Sequence, residues 1–142
     1  MRWLLDTNIL LDIALTREPY AGQARAFWDG VTGENPGESG YVSAAAVTDF
    51  YYVARRQVGH GQAIRAVQLL LDSLNIIPVS AAVLAMALSF PGTDFEDNVQ
   101  IACAQHEQLD AIITRDKAGF KHSPVHALSP AEALAQISTG AS

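Results

Sequence analysis

Short, unbroken apolar runs alternate with segments of helical periodicity along this chain, and that alternation narrows the fold more than any other feature. The runs are Trp3-Leu4-Leu5, Tyr41-Val42, Ile76-Ile77-Pro78-Val79, Ala111-Ile112-Ile113 and 124–127. After the first, Ile9, Leu10, Ile13 and Ala14 recur at helical spacing. Further helices are predicted at 18–28, with Pro19 in the first turn, at 44–57 behind Ser43, at 59–74 and at 81–89 behind Ser80. Thr93 with Glu96 and Ser129 with Glu132 match capping boxes, so helices are expected at 93–108 and from Pro130 onward. Residues 30–40 hold four glycines and Pro36 and read as a loop. Strands buried on both faces, each followed by a helix, imply an α/β fold: a three-layer α/β/α sandwich with a mainly parallel central sheet. At 142 residues, 49% hydrophobic and 17% charged, the chain is expected to form one packed domain over 1–137 with a frayed tail at 138–142.

The formal net charge is −6, from 9 basic and 15 acidic residues, which argues against a protein held on nucleic acid by bulk positive charge. It leaves room for a nuclease, because an acidic metal site adds negative charge of its own. Cys103 is the only cysteine, so an intramolecular disulfide and a Cys-rich zinc site are excluded; in the apolar stretch Ile101-Ala102-Cys103-Ala104 it reads as a core residue. Asp6 interrupts the first apolar run before a signal-peptide core forms, and the longest apolar run, 81–88, falls well below the roughly 20 residues of a membrane span. A soluble, cytoplasmic protein with no membrane partner is expected.

In open parallel sheets ligands bind beyond the carboxyl ends of the strands, which directs attention to two aspartates. Asp6 follows Trp3-Leu4-Leu5, and Asp116 follows Ala111-Ile112-Ile113-Thr114-Arg115. They converge if the two strands are central neighbours; each could otherwise simply cap the element that follows. Asp94 and Asp97 are three apart and share a helical face, in a first turn where the helix dipole favours acids. The stripe through Asp97 continues to Ile101 and Ala104, which sets Asp97 at the rim of a packed face, whereas Glu96 is rotated away and accounted for by the capping box. Asp49 lies inside a helix among Ala45, Ala46, Tyr52 and Val53 with no basic partner at good spacing, so it is expected to face a cleft.

Several carboxylates in one cleft repel one another, and a hard divalent cation such as Mg²⁺ or Mn²⁺ removes the conflict. Such a cation activates water and polarises phosphoryl oxygen, so an acidic pocket without His or Cys ligands suggests phosphodiester chemistry. His60, His106, His122 and His126 read as structural residues, and neither a GxSxG nor a GxxxxGK[ST] motif is present.

These residues bring a family into view. Leu4-Leu5-Asp6-Thr7-Asn8-Ile9-Leu10-Leu11-Asp12 resembles the opening of a PIN domain. Asp94-Phe95-Glu96-Asp97 with Ile101-Ala102-Cys103-Ala104 is similar to its third acidic motif, and Ile113-Thr114-Arg115-Asp116 with Phe120 to its fourth. The resemblance covers nearly the whole chain. It implies a Mg²⁺- or Mn²⁺-dependent ribonuclease, and at this size the toxin half of a toxin–antitoxin pair of the VapC type. On that analogy Asp6, Asp97 and Asp116 hold the metal, and Asp49 takes a third-helix position usually given to glutamate. Thr48-Asp49-Phe50-Tyr51-Tyr52 resembles a subfamily that carries aspartate there, with Asp94 as its auxiliary acid. Thr7 or Asn8 and Thr114 would orient the aspartates, and Arg115 and Lys117 would hold RNA phosphates, with Arg17, Arg25, Arg55, Arg56 and Arg65 as a rim. An RNA substrate, a cognate antitoxin and a homodimer are the partners implied. Phe50, Tyr51 and Tyr52 are read as packing residues before base-stacking ones. The alternatives are a catalytically weak or inactive PIN-like module that binds RNA or a partner, and a phosphotransferase with a nucleophilic aspartate. Asn8 counts against the second, because haloacid dehalogenases carry an acid two residues after the nucleophile.

Overall fold

The computed structural model describes residues 1–140, with side chains as far as Ile137 at the C-terminal end. Five strands form one parallel sheet in the order β3-β2-β1-β4-β5: β1 (Arg2–Leu5), β2 (Ser39–Ser43), β3 (Asn75–Ile77), β4 (Ala111–Ile113) and β5 (His126–Leu128). The helices are α1 (Thr7–Ala14), α2 (Ala21–Thr32), α3 (Ala44–Ser73), α4 (Ala81–Leu88), α5 (Phe95–His106) and α6 (Pro130–Gly140).

Alternation along each strand builds two cores. Trp3, Leu5, Val42, Ala111 and Ile113 face one way, into a core shared with α1, α2, α3 and α6. Leu4, Ile77 and Ile112 face the other way, into a core shared with α4 and α5. This is the expected three-layer α/β/α sandwich. Leu4 opposes Ile112 in register and both are fully buried, so truncating either to alanine would cost about 2–5 kcal/mol. Among the described residues no helix is long and apolar enough to cross a membrane.

Several boundaries differ from the sequence reading; the segment 30–40, read as a loop, is helical as far as Thr32 and joins β2 at Ser39. The second helix starts at Ala21 instead of 18, because the residue before Pro19 is pushed out of the helical region and a turn closes from Arg17 O to Tyr20 N at 3.0 Å. The expected helices at 44–57 and 59–74 are both present, as the two halves of α3, separated at Gly59, whose φ of 85° suits a residue without a Cβ. The helix expected from 93 starts at Phe95 with Asp94 as its N-cap: Asp94 Oδ1 accepts from Asp97 N at 3.2 Å, so the Thr93–Glu96 capping box is not formed. The Ser129–Glu132 box is formed, with Glu132 N donating to Ser129 Oγ at 3.2 Å and Ser129 N to Glu132 Oε1 at 3.0 Å. Of the tail expected at 138–142, the last two residues lie outside the described residues.

The order β3-β2-β1-β4-β5 reverses direction between β1 and β4. At such a switch point the connections leave on opposite sides and open a crevice at the carboxyl ends. Asp6 and Asp116 stand at the ends of those two strands.

Candidate active site

The crevice is a cleft of about 520 Å³ lined by Asp6, Asn8, Asp49, Asp94, Asp97 and Asp116, with Glu96, Gln100, Phe95 and Phe120 among the other wall residues. Its acids come from the end of β1, the first turns of α3, the start of α5 and the turn after β4, with Asn8 from α1; Ser43, Val79 and, from α4, Leu84 complete the wall. Asp6, Thr7, Asn8, Asp49, Asp94, Asp97 and Asp116, all singled out from sequence, are thus brought together. Thr114 stands behind the cleft wall, and Arg115 and Lys117 do not line the cleft.

Asp6 is the fixed member of the set. It is 6% exposed, and its two oxygens are held by different elements. Oδ1 accepts from Thr7 N and from Gln100 Nε2, both at 2.7 Å, and Oδ2 accepts from Thr114 Oγ1 at 2.8 Å. Burial pushes its carboxyl up, the hydrogen bonds from Thr114 and Thr7 oppose that, Asp116 adds to it and Arg115 opposes it. Thr114 also ties the fourth strand's aspartate in place, since Asp116 N donates to Thr114 Oγ1 at 3.0 Å.

Asp97 is the congested member. It is half-buried, and its carboxyl is pushed up to about 7 by burial and then by Asp94, Asp6 and Asp116. Its stripe continues to the buried Ile101 and Ala104, as the periodicity implies. The turn after β4 approaches it closely: a Cβ on Gly119 would sit 2.5 Å from Asp97 Oδ2 and 3.8 Å from Asp116 Oδ2. Only glycine leaves that space free.

Two wall residues escaped the sequence reading. Glu96, freed from the capping box, faces the cleft, and Asp49 is the main cause of the upward push on its carboxyl, ahead of burial and Asp94. Gln100 lies three residues after Asp97 on the same face, a spacing that could have flagged it. Its Oε1 is the buried side-chain polar atom without a hydrogen-bond partner among the described residues. The charges at the fourth motif are already engaged: Arg115 Nε donates to Asp12 Oδ2 at 2.8 Å, and Lys117 Nζ to Glu132 Oε1 at 2.8 Å. His122 and His126, four apart in sequence, fall on a turn and on β5.

As the side chains stand, among the described residues no three His, Cys, Asp or Glu groups form a ready coordination sphere. The donor set nevertheless fits a hard cation. Its charged groups are all carboxylates, and burial together with the like charges of Asp94, Asp6 and Asp116 holds Asp97 up near 7. Mg²⁺ is commonly held by one or two direct carboxylates with water completing the shell.

A model of the PIN domain matches residues 2–118, the span that carries Asp6, Asp49, Asp97 and Asp116. The chain belongs to the PIN domain family. No curated sequence matches it significantly. Its fold is similar to that of several solved structures. One is the toxin–antitoxin complex from Klebsiella pneumoniae, with 23% identity and a TM-score of 0.66 over 89% of this chain and 96% of that one. Another is VapBC-1 from nontypeable Haemophilus influenzae, with 17% identity and a TM-score of 0.69 over 92% and 98%. VapC20 of Mycobacterium tuberculosis, described as a toxin that cleaves the sarcin-ricin loop, gives 15% identity and a TM-score of 0.64 over 78% and 86%. In this PIN domain, then, the acidic cleft lies at the carboxyl ends of the two central strands.

Proposed function

We propose that this PIN domain is a Mg²⁺- or Mn²⁺-dependent endoribonuclease and the toxin half of a toxin–antitoxin pair. The observation that carries the reading is the gathering of Asp6, Asp97 and Asp116, from three separate segments, on one cleft at the switch point of the sheet. Likeness in fold to toxins of such pairs supports the biological setting. Asp6, Asp97 and Asp116 would hold the cation, which supplies an activated water and stabilises charge on the phosphoryl oxygens. Asp6 is pre-oriented by Thr7, Gln100 and Thr114. Asp49 or Asp94, exposed on the opposite walls, would orient the attacking water or take its proton. Asn8, on the cleft, would face the substrate, and Thr114, behind the wall, would act through Asp6; Arg115 and Lys117, paired with Asp12 and Glu132, lie outside the cleft. A cognate antitoxin, a homodimer and a cytoplasmic setting complete the reading.

The second reading is a binding module with weak or no cleavage. It is favoured by the lack of three metal-ready groups among the described residues and by the short side chain of Asp49. Incubating a mixed RNA pool with purified protein, with and without Mg²⁺ or Mn²⁺, separates the two. Cation-dependent cutting by the wild type, lost in Asp6→Asn and Asp97→Asn, is the expected result. Equal outcomes for all three proteins would favour the module.

A further inference from the structure

Asp12 is a charged side chain with no solvent exposure, on the inner face of α1. A buried carboxylate of that kind persists only with close partners, and two arginines from different segments supply them. Arg115 Nε and Nη2 reach Asp12 Oδ2 and Oδ1 at 2.8 and 3.4 Å, and Arg17 Nη1 reaches Oδ1 at 3.8 Å. The Arg115 guanidinium also lies 4.2 Å from the centre of the Tyr20 ring, so its edge and its face are both engaged. Arg115 stands between Thr114, whose hydroxyl donates to Asp6, and Asp116, whose amide donates to Thr114. The ion pair therefore fastens to α1 the short segment that carries one site carboxylate and orients another.

We propose that Asp12 is a positioning residue of the active site: through its buried ion pair with Arg115 it locks the turn after β4 and sets Asp116 beside Asp6. This deepens the ribonuclease reading and rests on it for the consequence, though not for the geometry. It also gives Arg115 a role that does not involve phosphate. If Arg115 served chiefly to bind RNA, removing Asp12 would free it and leave the carboxylates as they are.

Three readouts test the clamp on the full chain: amide hydrogen exchange over 114–120, calorimetric titration with Mn²⁺ alone, and RNA cleavage. Asp12→Asn is expected to speed exchange at Asp116 and its neighbours while β1 stays protected, and to weaken Mn²⁺ binding about 10-fold or more, the usual size for loss of an outer partner. Arg115→Gln should do the same, and the double variant should be no worse than either single one. An Asp12→Asn protein with wild-type exchange at the turn and wild-type Mn²⁺ affinity overturns the proposal. If Asp12→Asn does not fold, Arg115→Lys decides: it keeps the charge and loses the fork, so the turn should loosen, and unchanged exchange again overturns it. Should the wild type neither bind Mn²⁺ nor cut RNA, the ribonuclease reading fails, and exchange at the turn alone judges the clamp.

Discussion

Asp6 and Asp97 stand on the same cleft, yet the chain treats them in opposite ways. Asp6 ends a central strand, is almost fully buried and has hydrogen bonds on both oxygens. Those hydrogen bonds offset part of its desolvation, which still pushes the carboxyl up. Asp97 sits in the first turn of α5, half-buried, and burial together with the acids around it holds its carboxyl near 7. One carboxylate is therefore placed by the protein, and on the proposed reading the other would be completed by a cation. A fixed partner gives geometry, and a congested one would make the site respond to the ion.

The largest effect tests the fixed side. Asp6→Asn keeps the shape but removes charge where Thr114 and Gln100 have organised it, and cleavage should fall about 100-fold or more, beyond the loss typical of an outer partner. Fold and melting temperature should survive, because burial already favours the uncharged form. Next comes the congested side, reached without touching an acid. Gly119→Ala would put a methyl 2.5 Å from Asp97 Oδ2, so the carboxylate must turn away. Mn²⁺ affinity should drop about 10- to 100-fold. Calorimetry showing no change would mean that Asp97 is not held where the ion binds. Thr114→Val then probes the link between the two halves. It removes the donor to Asp6 and the acceptor for Asp116 N, at a cost of about 1–3 kcal/mol by chemical denaturation.

The pH dependence of the metal-free protein sharpens the contrast further. Asp97 has a folded value of about 7 against an ordinary 3.8, so the native state binds its proton more tightly than the unfolded chain does. The resulting stability is complete below the ordinary value and is lost as pH rises through about 7. Thermal melts between pH 5 and pH 8 should therefore show a decline that Asp97→Asn flattens and that Mn²⁺ reverses at the alkaline end. A slope unchanged in Asp97→Asn would assign it to another group.

Much of the fold and of the cleft is legible in the sequence. The apolar runs fixed β1 and β4 because buried parallel strands have few polar residues to blur their edges, and Asp6 and Asp116 followed from where those runs stop. Ser43, Ser80 and the Ser129–Glu132 box announced three helices correctly because capping is a local contact. The α5 start was off by one cap, since Thr93 and Asp94 both suit that position, and the error hid Glu96 behind a local explanation. The Asp12–Arg115 pair was out of reach for a different reason. Its members are 103 residues apart, and only the β1–β4 pairing brings them together.

The smallest expected effect concerns that hidden residue. Glu96 and Asp49 approach from α5 and α3, and Asp49 is the leading cause of the upward push on Glu96. Both are exposed, so water screens most of the repulsion. Glu96→Gln should shift stability by no more than about 0.5 kcal/mol, the usual range for a surface change. If Glu96 belongs only to the rim, Glu96→Gln should leave the cleavage plateau unchanged. If Glu96 itself takes part, the plateau should fall instead. A pH–rate profile of Glu96→Gln beside the wild type tells the two apart, and it tests whether the cleft's second pair of acids belongs to the chemistry or only to its rim.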